Sequence, residues 1–177
     1  MGKDKVFAVK GNFEIAAVDL NGKEVWSVNL SNNQNIGIDI QPVVYNNMVF
    51  VSTVPGVSNE NFYKGGSVGI IYALDQATGK VLWSFDTVDS KDIWGNPAVN
   101  SGGGAWYPPA IDSATGIMYW GIGNAGPWPG TKDFSNGSSR PGNNLYSSSN
   151  DYLINIENKD NSIYPENFSM FRKCLWK

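Results

Sequence analysis

Histidine is absent from the 177 residues. Its absence removes Ser-His-Asp and Cys-His catalysis, histidine-ligated zinc and haem, and any imidazole acid or base. Cysteine is nearly absent. Cys174 stands alone, so no disulfide closes within the chain and no thiolate cluster holds a metal, and the redox compartment is left open. Charge is sparse at 16%, with a formal net charge of −3 and no basic run, which argues against a nucleic-acid partner. Long apolar runs are missing too. Stretches such as VGIIYAL (residues 68–74) fall far short of the roughly 20 residues that a spanning helix needs, so no membrane span is expected. The opening MGKDKVFAVKGN lacks the apolar stretch and small-residue cleavage site of a signal peptide. Two expectations follow: a cytoplasmic protein, or a chain that begins inside a longer one.

What the chain has instead is glycine and aromatic residues. Twenty glycines and seven tryptophans, with 13% aromatic residues, alternate with β-branched runs. Glycine-rich turns between short strands of this kind predict an all-β protein, and no helical pattern stands out before residue 150.

A unit repeats. AVDLNGKEVW aligns with ALDQATGKVLW after one gap in the turn, so that Ala17, Asp19, Gly22, Lys23 and Trp26 match Ala73, Asp75, Gly79, Lys80 and Trp83. A carboxylate, a hydroxyl, a glycine and an ammonium (Asp75, Thr78, Gly79, Lys80) could form a small active site. The duplication favours a turn, because one protein rarely needs the same active site in adjacent repeats. In that reading the aspartate and threonine bond to turn backbone, the glycine takes positive φ, and the tryptophan buries its ring. A second pattern, QPVVYNNMVFVST (residues 41–53), resembles PPAIDSATGIMYWGIG (residues 108–123): proline, short strand, tight turn, longer apolar strand. Asn46-Asn47 suits a two-residue hairpin, and Gly116 suits the left-handed position of a longer loop. Each unit therefore reads as two hairpins and four antiparallel strands, the first unit lacking its proline hairpin. Four-stranded sheets repeated in sequence predict a β-propeller.

At these residues the chain resembles the pyrroloquinoline quinone (PQQ) dehydrogenases, an alcohol and methanol dehydrogenase family of eight-bladed propellers. ALDQATGKVLW fits that family's tryptophan-docking motif at each fixed position. SGGGAWYPPAID (residues 101–112), GIGNAGPW (residues 121–128) and RPGNNLYSSS (residues 140–149) resemble three further family segments in order and spacing. The resemblance implies a partial propeller over residues 1–149, about two and a half blades at roughly 1–30, 31–90 and 91–149. Residues 150–177 are expected to be an atypical tail, either a diverged strand or a frameshifted or truncated end.

The resemblance also implies a site. Gly103, Gly104, Ala105 and Trp106 would bind the cofactor PQQ, with Trp106 as a flat floor, and Asn124 would ligate calcium. Each has a plainer alternative: inter-blade packing for Trp106, a turn residue for Asn124, a simple loop for the glycines. The family's calcium-binding glutamate corresponds to Lys64, with Glu60 four residues earlier as a substitute. The family's aspartate base would lie in a blade beyond this chain, so no catalytic residue is assigned. The function implied is part of an oxidoreductase that transfers hydride from a small alcohol or sugar to calcium-bound PQQ. Such a part would be incomplete alone and would need the remaining blades as partners. The alternative is a cofactor-free propeller that acts as a protein-binding scaffold. Family members are often periplasmic or secreted.

Overall fold

Short apolar runs broken by glycine, asparagine and aspartate leave the backbone little besides antiparallel ladders. A computed structural model describes residues 4–31, 36–55, 68–87, 101–123, 125–126 and 149–155, and among these every regular element is a strand. The first sheet holds β1 (Lys5–Lys10), β2 (Glu14–Asp19) and β3 (Glu24–Asn29) in that order. A short β4 (Ile36–Gly37) precedes the second sheet, which opens with β5 (Val43–Tyr45) and β6 (Met48–Ser52). The two-residue β7 (Val54–Pro55) pairs back onto β4. β8 (Ile70–Asp75) and β9 (Val81–Asp86) complete the second sheet in the order β5-β6-β8-β9.

The pattern then recurs. β10 (Ser101–Gly102) stands where β4 does, followed by β11 (Ala110–Asp112), β12 (Ile117–Ile122) and β13 (Ala125–Gly126), with β13 pairing onto β10. β14 (Ser149–Asn155) joins β12, giving a third sheet ordered β11-β12-β14. The second sheet thus has the two hairpins predicted for a unit. In the first, β1 holds the place that β6 holds in the second, so that sheet keeps one strand of the hairpin that the sequence pattern left out. The third sheet runs past residue 149, because the backbone of Ser149–Asn155 pairs antiparallel with β12. Residues 156–177 lie outside the described residues.

The repeated motif has one geometry in both copies. Phe7, Ala17 and Trp26 face each other across β1, β2 and β3, as Phe50, Ala73 and Trp83 do across β6, β8 and β9. The small alanine leaves room for the two rings on either side, which lie 5.7 Å apart in the first sheet and 5.9 Å apart in the second. A bulge follows each alanine, and the turn is then closed by the aspartate. Asp19 N donates to Lys23 O and Asp75 N to Lys80 O, both at 2.8 Å. Asp75 Oδ1 accepts from Ala77 N, Thr78 N and Thr78 Oγ1. That bonding, led by the Thr78 hydroxyl, holds the Asp75 carboxyl below its ordinary value. Gly22 and Gly79 have φ of 84° and 74°. Asp75, Thr78, Gly79 and Lys80 form a turn, as the duplication predicted. Asn46 and Asn47 likewise take positive φ, 47° and 60°, between β5 and β6.

Apolar packing joins the sheets. Every residue of β6 is buried, with Val49, Phe50 and Val51 fully so, which explains a continuous apolar run where a half-exposed strand would alternate. One cluster runs from Phe7 and Ile15 through Phe50 and Ile71 to Met118 and Trp120. Directional ties add to it. Trp26 Nε1 donates to Gln76 O, and Tyr72 Oη donates to Leu30 O, both at 3.2 Å. Burial, helped by nearby Asp86, pushes the Tyr72 phenol up, so it stays a donor.

Candidate functional site

The glycine run predicted to approach a ligand first approaches the protein itself. Gly102 and Gly103 have φ of 93° and 67°, in the region that residues with a Cβ rarely adopt. The segment leads along the end of the second sheet, and there Gly69 meets it. A Cβ placed on Gly69 would fall 2.2 Å from Gly103 O, so only glycine permits this approach.

Four successive carbonyls of this strap are capped. Gly69 N donates to Gly102 O at 2.9 Å, and Gly123 N donates to Gly104 O at 2.8 Å. Thr87 Oγ1 lies 2.6 Å from Gly103 O, and Ser52 Oγ donates to Ala105 O at 2.6 Å. Further on, the buried Trp120 donates its Nε1 to Tyr107 O at 2.7 Å. The backbone on both sides of Trp106 is therefore fixed.

Trp106 is half-buried. One edge of its indole lies against Gly123, where a Cβ would come within 2.8 Å of Nε1 and 3.0 Å of Cδ1. The residue also lines an open cleft of about 630 Å³, together with Asp39, Ile40, Gln41, Tyr107 and Pro108. Clefts of several hundred Å³ are the size that takes small-molecule ligands. Asp39 is the sole carboxylate among these lining residues, and none of them is cationic.

Of the residues singled out in the sequence, Gly103, Gly104 and Ala105 sit in the buried strap, and Trp106 reaches the cleft. Asn124, Lys64 and Glu60 lie outside the described residues. Among the described residues, no group of three or more Asp, Glu, His or Cys is placed to hold a metal. None of Asp39, Gln41 and Tyr107 is expected at the site from the sequence, although Gln41 and Tyr107 lie within its motifs. The repeat carries a signal for them: with Gln41 aligned on Pro108, Asp39 and Ile40 fall at the places of Trp106 and Tyr107.

Comparison with known proteins places this geometry in a family. The model for the glucose/ethanol/alcohol dehydrogenase β-propeller domain (PQQ) matches residues 5–150. The quinoprotein alcohol dehydrogenase PedH of Pseudomonas putida is 30% identical over 165 residues, covering 78% of this chain and 25% of that protein. The dehydrogenase subunit of the quinone-dependent alcohol dehydrogenase of Gluconobacter oxydans is 28% identical over 154 residues, 71% of this chain and 19% of that one. Two solved quinohaemoprotein alcohol dehydrogenases superpose with a TM-score of 0.68 over 86% of this chain and 24% of theirs. They are ADHIIG of Pseudomonas putida, 25% identical, and the enzyme of Comamonas testosteroni, 26% identical. The chain thus spans about a quarter or less of the length of these relatives. By its sheets, its repeated turn and this match over most of its length, the chain belongs to the PQQ β-propeller family of glucose, ethanol and alcohol dehydrogenases.

Proposed function

We propose that this chain supplies the floor of a PQQ site in an alcohol-type dehydrogenase. The observation that carries the reading is Trp106, which lines an open cleft from a strap pinned on both sides. A planar quinone suits a flat aromatic wall, and the cleft is large enough to take one. Trp106 would lie against the ring system, and the amide oxygen of Asn124 would be a calcium ligand. When bound, the quinone supplies a hydride acceptor and calcium a Lewis acid at its carbonyl. The chain's own residues hold the aromatic floor in place and shield one edge of it with Gly123. An alcohol or sugar is the proposed substrate, and no proton acceptor is assigned among this chain's residues.

A second reading, a cofactor-free protein-binding scaffold, is favoured by Lys64, which stands where the resemblance implies a carboxylate. A titration of the protein with PQQ and calcium separates the two, following quinone absorbance and tryptophan quenching. Saturable quenching that Trp106→Ala abolishes supports the cofactor site. No binding at millimolar PQQ, with and without calcium, overturns it.

A further inference from the structure

Three polar side chains among the described residues are fully buried: Ser52, Thr53 and Thr87. Buried hydroxyls need partners, so where each one bonds shows what it holds. Thr53 stays within its own sheet, accepting from Ile70 N at 3.0 Å. The other two reach the strap. Thr87 Oγ1 lies within reach of two carbonyls, Gly69 O at 2.8 Å and Gly103 O at 2.6 Å, but a hydroxyl has one proton to give. Gly69 O already accepts from Thr87 N at 3.1 Å. The hydroxyl proton therefore belongs to Gly103 O, which has the shorter separation.

We infer that Thr87 and Ser52 are positioning residues for Trp106, acting through the strap carbonyls that their hydroxyls cap. Ser52 bonds the carbonyl of the peptide that leads directly into Trp106. Thr87 holds the carbonyl two residues earlier, at the second of the positive-φ glycines. Neither residue lines the cleft, and neither belongs to the repeated turn. Removing either hydroxyl leaves a buried carbonyl without its donor, and the strap then moves toward water or another donor. Gly123 follows, because its amide bonds Gly104 O and its α-carbon lies against the indole. The role for ligand binding rests on the proposed PQQ site, whereas the positioning of Trp106 does not.

The experiment compares Thr87→Val, Thr87→Ser and Ser52→Ala with the parent protein by amide hydrogen exchange. Thr87→Val is expected to speed exchange at Gly123 N at least tenfold, leaving the ladder amides between β6 and β8 unchanged, and Thr87→Ser is expected to restore protection. Ser52→Ala is expected to act likewise. A change in the near-UV circular dichroism of Trp106, identified by its loss in Trp106→Phe, should accompany these shifts. Exchange that rises equally at Gly123 and in the β6–β8 ladder means general loosening and overturns the inference. So does no change at Gly123, or failure of Thr87→Ser to restore it. PQQ affinity is a separate arm. If the parent binds PQQ, Thr87→Val should weaken it about tenfold. If the parent does not bind, the cofactor reading fails while the exchange result still decides the positioning role.

Discussion

The indole of Trp26 lies against Gly79, so closely that a Cβ on that glycine would fall 2.6 Å from Trp26 Cε3 and 2.7 Å from Cδ2. The tryptophan of one docking turn thus covers the glycine of the next. The ring cannot retreat easily, since Nε1 is bonded to Gln76 O and the ring also packs near Phe7. Gly22 has a similar φ of 84°, but a Cβ there would meet nothing within 4 Å.

These two glycines make a matched pair. Gly22→Ala should cost about 1 kcal/mol, the strain of a left-handed residue alone. Gly79→Ala adds overpacking against the indole and should cost roughly 2–5 kcal/mol. Urea midpoints of the two variants check the difference, and equal losses would sink the stacking argument.

Gly69 carries no positive φ, so its substitution tests space alone. Gly69→Ala places a methyl group against Gly103 O and Gly104 Cα, and backbone cannot swing aside as a side chain does. The expected result is a loss of roughly 1–3 kcal/mol with a displaced strap. Trp106 fluorescence should shift, and PQQ affinity should fall more than stability does.

Asp39 gives the proposed cofactor site an electrostatic signature. PQQ carries carboxylates, and a carboxylate in the cleft wall repels them unless a cation intervenes. A unit charge pair at 4 Å in water is worth about 1 kcal/mol, or roughly fivefold in affinity. Asp39→Asn should therefore tighten PQQ binding severalfold with calcium chelated, and less in high salt. A titration that shows no gain at low salt removes Asp39 from the site.

The turns headed by Asp75 and Asp112 should respond to acid. Hydrogen bonds from Thr78 to Asp75 and from Thr115 to Asp112 are the chief causes that lower both carboxyls in the folded protein. A lowered folded pKa gives stability that is complete above the unfolded value and is lost as pH falls through the folded one. The melting temperature should drop as pH falls below about 4, and the drop should be shallower in Asp75→Asn. The same slope in both proteins would show that the Asp75 carboxylate does not contribute.

Local patterns are readable in the sequence because all their partners lie within a few residues. The Asp75 turn, the Asn46-Asn47 hairpin and the left-handed Gly116, with φ of 68°, each close on themselves. The structure gives one further local repeat its meaning: DSATG at residues 112–116 copies DQATG at 75–79, and Ala114 N bonds Asp112 Oδ1 as Ala77 N bonds Asp75 Oδ1. The strand KVFAVK escapes the sequence pattern because it lacks the proline and turn that mark its counterpart. The candidate site is only half legible. Trp106 stands out by its residue type and surroundings, but its supports do not. Ser52 is 53 residues from its partner Ala105, and nothing in a small hydroxyl residue near a strand end announces so distant a contact.

That distance has a consequence for how the chain acquires its shape. Among the described residues the side chains that cap the strap are distant in sequence: Thr87 is 16 residues from Gly103, and Ser52 is 53 from Ala105. During synthesis, Ser52, Gly69 and Thr87 leave the ribosome before the strap, and Gly123 leaves after it. Three caps can await the strap, while the fourth arrives late and closes the loop against Trp106. Contacts between distant residues form slowly because loop closure must come first. The aromatic floor should therefore be among the last parts of the second and third sheets to order, and a nascent chain halted before Gly123 would have its blades begun and its cleft unmade.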